Sequence, residues 1–491
     1  MKTLRWFQYT TISFGFIYVL FFLLVVINRI NYPFDLEEGE GIMVDHVIQI
    51  ITKGIFFYKE PTVDFVPLIY MPLYFYLSAL FSQVFGIGYL SLRVVSLLST
   101  CGIAVTIYYF IKKETSNKEL SLTTACIFIA SSRMSGHWFD LARVDTCFLF
   151  FLFFAFFILR FYDSVFALIC GGILLTAAFF TKQSASLMLS IALPLYFFYD
   201  KRKTVIFFGV FTVVSAVLIF LYNTLSNGWF LRYTQVIPST HAINYKVIYS
   251  FWYDDLGKGF WIIYISVLMY MFCFFYKMLK YKEINRKSAF YVFLCAGCVL
   301  VSYVSRLHTG GIANVVMPAY TAFILACGVF INDVNLLIEG GKYNSEKKYL
   351  FKTGIYALII IQLITFFYIP SNNIPKDKTR VSEESFMGNV MQLQGKDVLF
   401  TDRAYVSYRI NKRVFASTIA IVDLLRSKDE KAKTLFINNY VKNIENKKIP
   451  YIIANKNTYK IEIIEQNYDL TKTFYGYDNT DVWFIYVSKP I

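Results

Sequence analysis

The sequence predicts a mainly α-helical, polytopic transmembrane bundle of about eleven spans, followed by a small extracytoplasmic α/β domain. The chain of 491 residues is 57% hydrophobic and 16% charged, whereas a soluble domain has about 45–50% apolar and about 25% charged residues. Its apolar residues lie in long runs, as expected of membrane spans. From about residue 371 these runs stop, and short β-like stretches such as DVLFTD and YIIAN alternate with polar helical patterns.

The positions of Lys and Arg orient the hydrophobic segments in the membrane. Basic clusters favour the cytoplasmic side, and they lie near residues 2–5, 112–118, 160, 201–203, 277–287 and 342–352. With these clusters inside, the segments alternate cleanly from residue 91 onward. The twelve segments lie near residues 7–29, 68–85, 91–111, 119–137, 145–160, 163–181, 184–199, 204–222, 260–276, 288–305, 313–331 and 350–369.

Segment 68–85 breaks the alternation because it would begin and end on the outside. It is short, it opens with Pro67 and Pro72, and it is rich in Tyr, which favours the membrane interface. We therefore expect an interfacial or re-entrant helix here, and eleven spans in total. The alternative, twelve spans with a cytoplasmic C-terminal domain, violates the charge rule at several loops.

This topology divides the chain into two domains. Residues 1–370 form the transmembrane domain, with external loops at 30–90 and 223–259. Residues 371–491 form a soluble domain outside the plasma (inner) membrane, and the N-terminus lies in the cytoplasm. Within the first external loop, an amphipathic helix lying on the membrane is predicted over 42–53. Its apolar face carries Val44, Val47, Ile48 and Ile51, and its polar face carries Asp45, Gln49 and Lys53.

Four carboxylates follow the first span directly, in the stretch NYPFDLEEGEG: Asp35, Glu37, Glu38 and Glu40. Carboxylates are costly near hydrocarbon, so their presence there suggests a purpose. One interpretation is a general base that deprotonates an acceptor hydroxyl or amine. The other is a solvated acidic loop that caps the helix behind it, since a helix N-terminus favours negative charge.

Three further groups of polar residues lie on the same predicted outer side. HWFDLARVD contributes Asp140, Arg143 and Asp145, FFTKQSA contributes Lys182, and SRLHTGG contributes Arg306 and His308. Cations on the side that basic residues avoid are suited to an anionic ligand such as a phosphate. The alternatives are pairing with carboxylates, a snorkelling Lys and a tight turn between helices.

Several classes of protein are disfavoured by the sequence. It contains no GxxxxGK[ST], GxGxxG or HExxH motif. The net charge of +15 is explained by basic residues at the ends of spans, so nucleic acid is not an expected partner. A transporter would place ionisable residues near the bilayer midplane, whereas here they gather at one face. That asymmetry indicates a reaction at one membrane surface.

These motifs resemble those of the GT-C membrane glycosyltransferases, the family 39-type class of protein O-mannosyltransferases and lipid A aminoarabinose transferases. The resemblance covers about residues 1–330 and rests on the order of short motifs. These are EEGEG, then Gly54, Tyr58 and Pro61, YMPLYFY with Tyr70, FG at 85–86, Arg93, the RVD of ARVD, and TKQ. It implies transfer of a sugar from a polyprenyl-phosphate donor to a glycan, lipid or protein acceptor, with inversion.

The resemblance also implies roles for particular residues. Glu40 matches the Glu of the family's Asp-Glu pair, while the Asp position is Gly39 here, so Glu40, Glu38 and Asp35 stay open as the base. Asp145 matches the acid of the second loop, and Lys182 matches a Lys that contacts the lipid phosphate. The family's Lys-Pro is Met71-Pro72 here, so one phosphate ligand is absent or replaced, and Arg306 and His308 are its substitutes by position. The remaining expected substrate-binding residues are Arg143, Asp140, Arg306, His308, Tyr58 and Tyr70.

The implied mechanism requires no cofactor and is compatible with a divalent metal. Two rival functions remain. A flippase for lipid-linked sugars would need paired polar residues through the spans, and few are present. A polysaccharide polymerase would be expected to carry Arg-rich external loops, which this chain lacks.

Overall fold

The predicted polytopic helical bundle with a small C-terminal sheet is confirmed by a computed structural model, which describes residues 2–476 and 482–490. Eight of the described helices are long and apolar enough to cross a membrane. The protein is therefore a multi-pass membrane protein. The eight are α1 (Lys2–Arg29), α4 (Tyr89–Thr115), α6 (Val144–Phe161), α9 (Lys201–Leu225), α13 (Trp261–Tyr281), α14 (Arg286–Leu307), α15 (Met317–Gly340) and α16 (Ser345–Thr365).

The other predicted spans form shorter helices between the long ones. They are α5 (Lys118–Ala130), α7 (Val165–Thr181) and α8 (Ala192–Phe198), with 3-10 helices at Ser131–Ser135 and Gln183–Ile191. Segment 68–85 contains α3 (Leu73–Phe85), whose 13 residues reach only about 20 Å. It is too short to cross a hydrocarbon layer of about 30 Å.

The remaining helices of residues 1–370 lie in the two predicted external loops. The first loop contains α2 (Glu40–Lys53), and the second is built of short helical turns. These turns are α10 (Trp229–Leu231), α11 (Ile237–Ser239) and α12 (Val247–Ser250), with π-helical turns at Arg232–Val236 and Phe251–Asp255. Two 3-10 turns, Ala313–Val316 and Pro370–Asn373, precede α15 and the C-terminal domain.

Side-chain caps begin the helices at the end of the bundle opposite the acidic loop. Each cap accepts a hydrogen bond from a backbone amide of the first turn, which satisfies a donor that the helix leaves unpaired. The short capped connections join neighbouring helices into antiparallel pairs. The five caps are Asn117, Ser164, Asp200, Asn285 and Asn344.

The C-terminal domain has the predicted α/β composition. Its four strands lie in the order β1-β2-β4-β3, with β1 and β2 parallel and the other pairs antiparallel. Phe386, Phe400 and Trp483 pack edge to face or tilted in its core. In chain order the elements are α17 (Asp377–Met391), β1 (Val398–Leu399), α18 (Ala404–Asn411), α19 (Thr418–Arg426), α20 (Glu430–Glu445), β2 (Tyr451–Ala454), α21 (Ile461–Asn467), β3 (Tyr468–Tyr475) and β4 (Val482–Ser488).

The C-terminal domain docks on both external loops. Arg413 binds Asp64 of the first loop at 2.7 Å. Arg232 of the second loop binds Asp429 of the domain at 2.5 Å. The Nε2 atom of His241, in the same loop, lies 3.1 Å from the carbonyl oxygen of Asp423. The two loops and the domain therefore share one face of the bundle.

Helix α2 is enclosed by protein on both faces as far as Ile50, and its last turn with Ile51 and Lys53 is exposed. The apolar Val44 and Val47 are buried, and so are Asp45 and Gln49 of the polar face. The helix packs against α3 and α4 on one side and against α18 of the C-terminal domain on the other. The expectation that its polar face lies in water at the membrane surface is wrong, because the C-terminal domain covers that face.

Candidate functional site

A cavity of about 680 Å³ lies between the acidic stretch of the first loop and the C-terminal domain. Three of the four predicted carboxylates, Asp35, Glu37 and Glu38, line it, and Glu40 does not. From the other side it is lined by Asp402, Arg403, Thr418, Ile419, Asn455 and Trp483 of the C-terminal domain, among others.

Glu40 is fully buried and fully engaged. Its two oxygens accept from Nε and Nη2 of Arg93 at 3.0 and 2.5 Å. They also accept from the backbone amides of Leu36 and Ala142, at 2.8 and 2.7 Å. A carboxylate with four donors and no exposed surface is poorly placed to take a proton from a substrate. The geometry therefore favours a structural role for Glu40 over the leading catalytic role expected from the resemblance.

We expect Glu40→Ala and Arg93→Ala each to destabilise the protein by about 3–5 kcal/mol, because each leaves a buried charge without its partner. Arg93 also donates to the carbonyls of Tyr32 and Phe34, at 2.6 and 2.8 Å, so its loss should loosen the acidic loop. Thermal unfolding of the purified protein measures this effect. The exposed Glu38 provides the control, since Glu38→Gln should leave the melting temperature unchanged. A Glu40→Gln variant with normal stability and no activity would instead restore Glu40 as the base.

Asp35 is the carboxyl of the first loop with the properties of a base. Burial by the surrounding protein raises its pKa to about 7, and the charge of Glu40 acts in the same direction. Arg403 and the hydroxyl of Tyr89 oppose this shift, as does the amide of Gly41, which donates to Asp35 Oδ1 at 2.7 Å. Asp35 stays partly open to the cavity. A base is most effective when its pKa lies near the working pH.

Glu37 is paired with Arg143 of the second predicted acidic stretch. Its Oε2 accepts from Arg143 Nη1 and from the amide of Gly39, both at 3.0 Å. A Cβ added at Gly39 would overlap the guanidinium of Arg143. A side chain at this position would therefore require the Arg143 guanidinium to shift. Glu38 is exposed at the cavity wall.

Arg143 and Lys182 form the cationic part of the site. Lys182 Nζ binds Asp145 Oδ1 at 2.7 Å, and both side chains are largely buried. The positive charge of Arg143, like that of Lys182, favours the ionised form of Asp145. Buried polar atoms without hydrogen-bond partners among the described residues surround this pair: Arg143 Nε, Gln183 Oε1 and Asn314 Oδ1. Buried polar atoms are normally satisfied, so these three are candidates for hydrogen bonds to a polar ligand.

The other predicted substrate-binding residues have partners within the protein. Asp140 forms a buried ion pair with Arg29, and the Tyr58 hydroxyl donates to the carbonyl of Tyr70 at 2.6 Å. Tyr70 touches the site, since its hydroxyl accepts from Arg143 Nη2 at 3.4 Å. For Asp140 and Tyr58 the geometry indicates a structural role.

Among the described residues, no hydrogen bond or ion pair joins Arg306 or His308 to Lys182 or Arg143. Arg306 binds Asp255 at 3.1 Å and the carbonyl of Gly311 at 2.6 Å, which ties the turn after α14 to the second external loop. These contacts do not support the expectation that Arg306 replaces the family's missing phosphate ligand. They fit the alternative interpretation, a tight turn between two helices. Burial lowers the pKa of His308.

The C-terminal domain contributes residues that no sequence motif indicated. Asp402 accepts from Thr418 at 3.0 Å, and burial raises its pKa. Arg403 binds Glu383 at 2.7 Å and its charge reaches Asp35. Asp423 is close enough for the charge of Arg143 to lower its pKa, although burial, the larger effect, raises it. The alternation of polar and apolar residues after position 371 is the one sequence signal that could have suggested that this domain turns polar side chains toward the site.

No group of three or more His, Cys, Asp or Glu side chains suited to a metal ion is found in the part of the chain that the structure describes. The compatibility of the reaction with a divalent metal therefore stays a prediction.

The fold is that of the GT-C membrane glycosyltransferases, as the resemblance implied. ArnT from Cupriavidus metallidurans bound to undecaprenyl phosphate aligns with a TM-score of 0.65 at 10% identity, over 97% of this chain and 99% of its own. Its apo state gives 0.60 at 10% identity, over 96% and 99%. The archaeal oligosaccharyltransferase AglB from Archaeoglobus fulgidus, in complex with an inhibitory peptide and a dolichol-phosphate, gives 0.51 at 11% identity, over 98% and 74%.

The likeness is one of structure and not of sequence. No protein-family model matches the chain, and no curated protein matches it significantly.

Proposed function

We propose that the protein is a glycosyltransferase that moves a sugar from a polyprenyl-phosphate donor to an acceptor outside the plasma membrane, with inversion at the anomeric carbon. One observation carries this proposal. Asp35, whose pKa burial raises to about 7, lines a cavity. Glu37 of the same loop binds Arg143, and Arg143 and Lys182 are both largely buried cations. A base and a phosphate clamp are the two parts that such a transfer needs.

The donor's lipid chain also has a place in this fold. An apolar groove between α3, α7 and α9 is lined by Leu73, Ile173, Ala177, Leu218 and others, and it includes Phe180. Phe180 precedes Lys182 by two residues, so a lipid in the groove would present its phosphate to that amine. The undecaprenyl phosphate and dolichol-phosphate in the similar structures support a donor of this chemical class.

The proposed reaction is a single displacement. Asp35 takes the proton of the acceptor hydroxyl or amine while the acceptor atom forms a bond to the anomeric carbon. The bond between that carbon and the phosphate oxygen breaks, and its electron pair leaves with the polyprenyl phosphate. The phosphate thereby gains one negative charge, which Lys182 and Arg143 stabilise. Asp145 holds the Lys182 amine in place at 2.7 Å.

The proposed orientation places this chemistry outside the cell. The capped, basic turns lie at one end of the bundle, and positive charge favours the cytoplasmic side. The acidic stretch, both long loops and the C-terminal domain then lie on the opposite side, where the acceptor would be a glycan, a lipid or a protein.

A transfer assay tests the proposal. Proteoliposomes containing the full chain would be given a panel of undecaprenyl-phosphate sugars labelled in the sugar, together with an extract of envelope material as acceptor. We expect one donor to lose its label to the acceptor while free undecaprenyl phosphate appears in equal amount. Movement of a donor across the bilayer with its sugar bond intact would indicate a flippase instead. An absence of both binding and turnover with every donor would contradict the proposal.

A further inference from the structure

The cavity next to Asp35 has an excess of carboxyl groups. Its lining includes five acidic and two basic side chains. Both bases have acidic partners, since Arg29 binds Asp140 and Arg403 binds Glu383, and Glu37 is bound to Arg143. Three carboxyls, Asp35, Glu38 and Asp402, therefore have no cation within 4.0 Å among the described residues.

This charge distribution separates the cavity from the cationic part of the site. Lys182 and Arg143 are not among the residues that line the cavity. A phosphate would be attracted to those two side chains and repelled by three carboxyls at short range. The cavity is therefore unsuited to an anionic acceptor, while the neighbouring pair suits the anionic donor.

The uncharged part of the lining is divided between groups that can form hydrogen bonds and apolar side chains such as Leu36, Leu141 and Ile419. Asn372, Asn373 and Thr379 line the cavity, and their side chains make no hydrogen bond to another described residue. Tyr32 also lines it. This residue is only 9% exposed, and its buried hydroxyl has no hydrogen-bond partner among the described residues. A buried hydroxyl without a partner is costly, so a ligand that satisfies it would gain affinity.

The shape of the cavity narrows the choice of ligand. Its volume of about 680 Å³ is within the range of small-molecule sites, about 300–1,000 Å³. Hydroxyl groups of a ligand can donate to carboxylates and accept from amides, which matches this lining. A lipid tail would need walls that are apolar throughout, and a peptide would need an extended groove or a sheet edge. The two edge strands, β1 and the eight-residue β3, contribute no residue to the lining.

We infer that the cavity binds the acceptor and that this acceptor is an uncharged saccharide, held between the acidic stretch and the C-terminal domain with a hydroxyl directed at Asp35. The inference rests on the proposed glycosyl transfer and identifies its second substrate. The C-terminal domain then determines acceptor choice, because it supplies Asn373, Thr379 and Asp402. Tyr32, Asn372 and Asn373 would form hydrogen bonds with the hydroxyl groups of the saccharide, and none of them carries a charge.

Ligand binding to the full chain in lipid nanodiscs tests the inference. The probes are uncharged oligosaccharides of two to four hexoses and the same compounds carrying one phosphate, followed by saturation-transfer NMR and titration. We expect at least one uncharged compound to bind and its phosphorylated form to bind at least tenfold more weakly. Asn373→Ala combined with Thr379→Val should weaken binding at least fivefold. Asn457→Ala, at an exposed position outside the cavity, is the matched control and should change nothing.

Three results would overturn the inference: no uncharged oligosaccharide binds, the phosphorylated forms bind as tightly, or the paired variant binds as the wild type does. Binding of undecaprenyl phosphate to the same nanodiscs distinguishes the two proposals. If that lipid binds and saccharides do not, the acceptor assignment fails and the proposed transfer survives. If the lipid fails to bind, the proposed function fails as well.

Discussion

Asp35→Asn is expected to lower the rate of sugar transfer by about 10²–10⁴-fold, the usual contribution of a general base. The amide keeps the shape of the carboxyl and can still accept from the Gly41 amide, but it cannot take a proton. Because burial raises the Asp35 pKa to about 7, the wild-type kcat/KM should rise with pH until about 7 and then level off. That rise should be absent from the residual activity of the variant.

Stability provides an independent check on the same residue. The folded-state pKa of Asp35 lies above the ordinary value of about 3.9, so folding favours its protonated form. This carboxyl therefore weakens the fold as pH rises from about 4 to 7. Asp35→Asn should remove that weakening, leaving a variant that is as stable as the wild type, or more so, at pH 8 and nevertheless inactive.

The control for this experiment is Asp64→Asn in the same loop. Asp64 binds Arg413, is 41% exposed and does not line the cavity, so its loss should leave the transfer rate near that of the wild type. If Asp35→Asn keeps full activity and Glu38→Gln abolishes it, the exposed Glu38 is the base. That result would show that access to the acceptor matters more here than a shifted pKa.

The spans were predictable because they depend on local properties of the chain. Long apolar runs are sufficient to locate each segment along the chain, and the orientation that the basic residues indicate stays a prediction. For α3, the short apolar segment and the two prolines at its start indicated that it does not cross the membrane. The same local patterns identified the C-terminal domain, where polar helical stretches and short β-like runs replace the long apolar segments.

The role of each carboxyl was not predictable because it depends on distant partners. Glu40 is held by Arg93, 53 residues away, and by the amide of Ala142, 102 residues away. The guanidinium of Arg143 lies directly against Gly39 of the loop. The polar face of α2 was expected in water because nothing in residues 42–53 shows that α18 covers it. A single sequence specifies residue chemistry but not which groups meet.

Lys182→Met is expected to lower kcat by about 10²–10³-fold, the effect of removing one donor that stabilises charge in a transition state. The leaving polyprenyl phosphate gains a charge that the methionine cannot stabilise. The affinity for undecaprenyl phosphate should also fall by about 10–100-fold, since hydrogen bonds to charged groups contribute about 1.5–3 kcal/mol. Transfer assays and lipid titration in nanodiscs measure the two effects separately.

Two variants keep this experiment interpretable. Lys182→Met leaves Asp145 buried without its partner, so the loss could come from misfolding. In the Lys182→Met, Asp145→Asn double variant no charge is left unpaired, and it should fold normally and stay inactive. Lys203→Met removes a lysine from an ion pair of similar length, 2.6 Å, with the exposed Asp163. This pair lies at the opposite end of the bundle, so the variant should transfer normally. A folded double variant with wild-type lipid affinity would show that Arg143 alone holds the phosphate, and the clamp would then lie closer to Glu37 and Tyr70 than to Asp145.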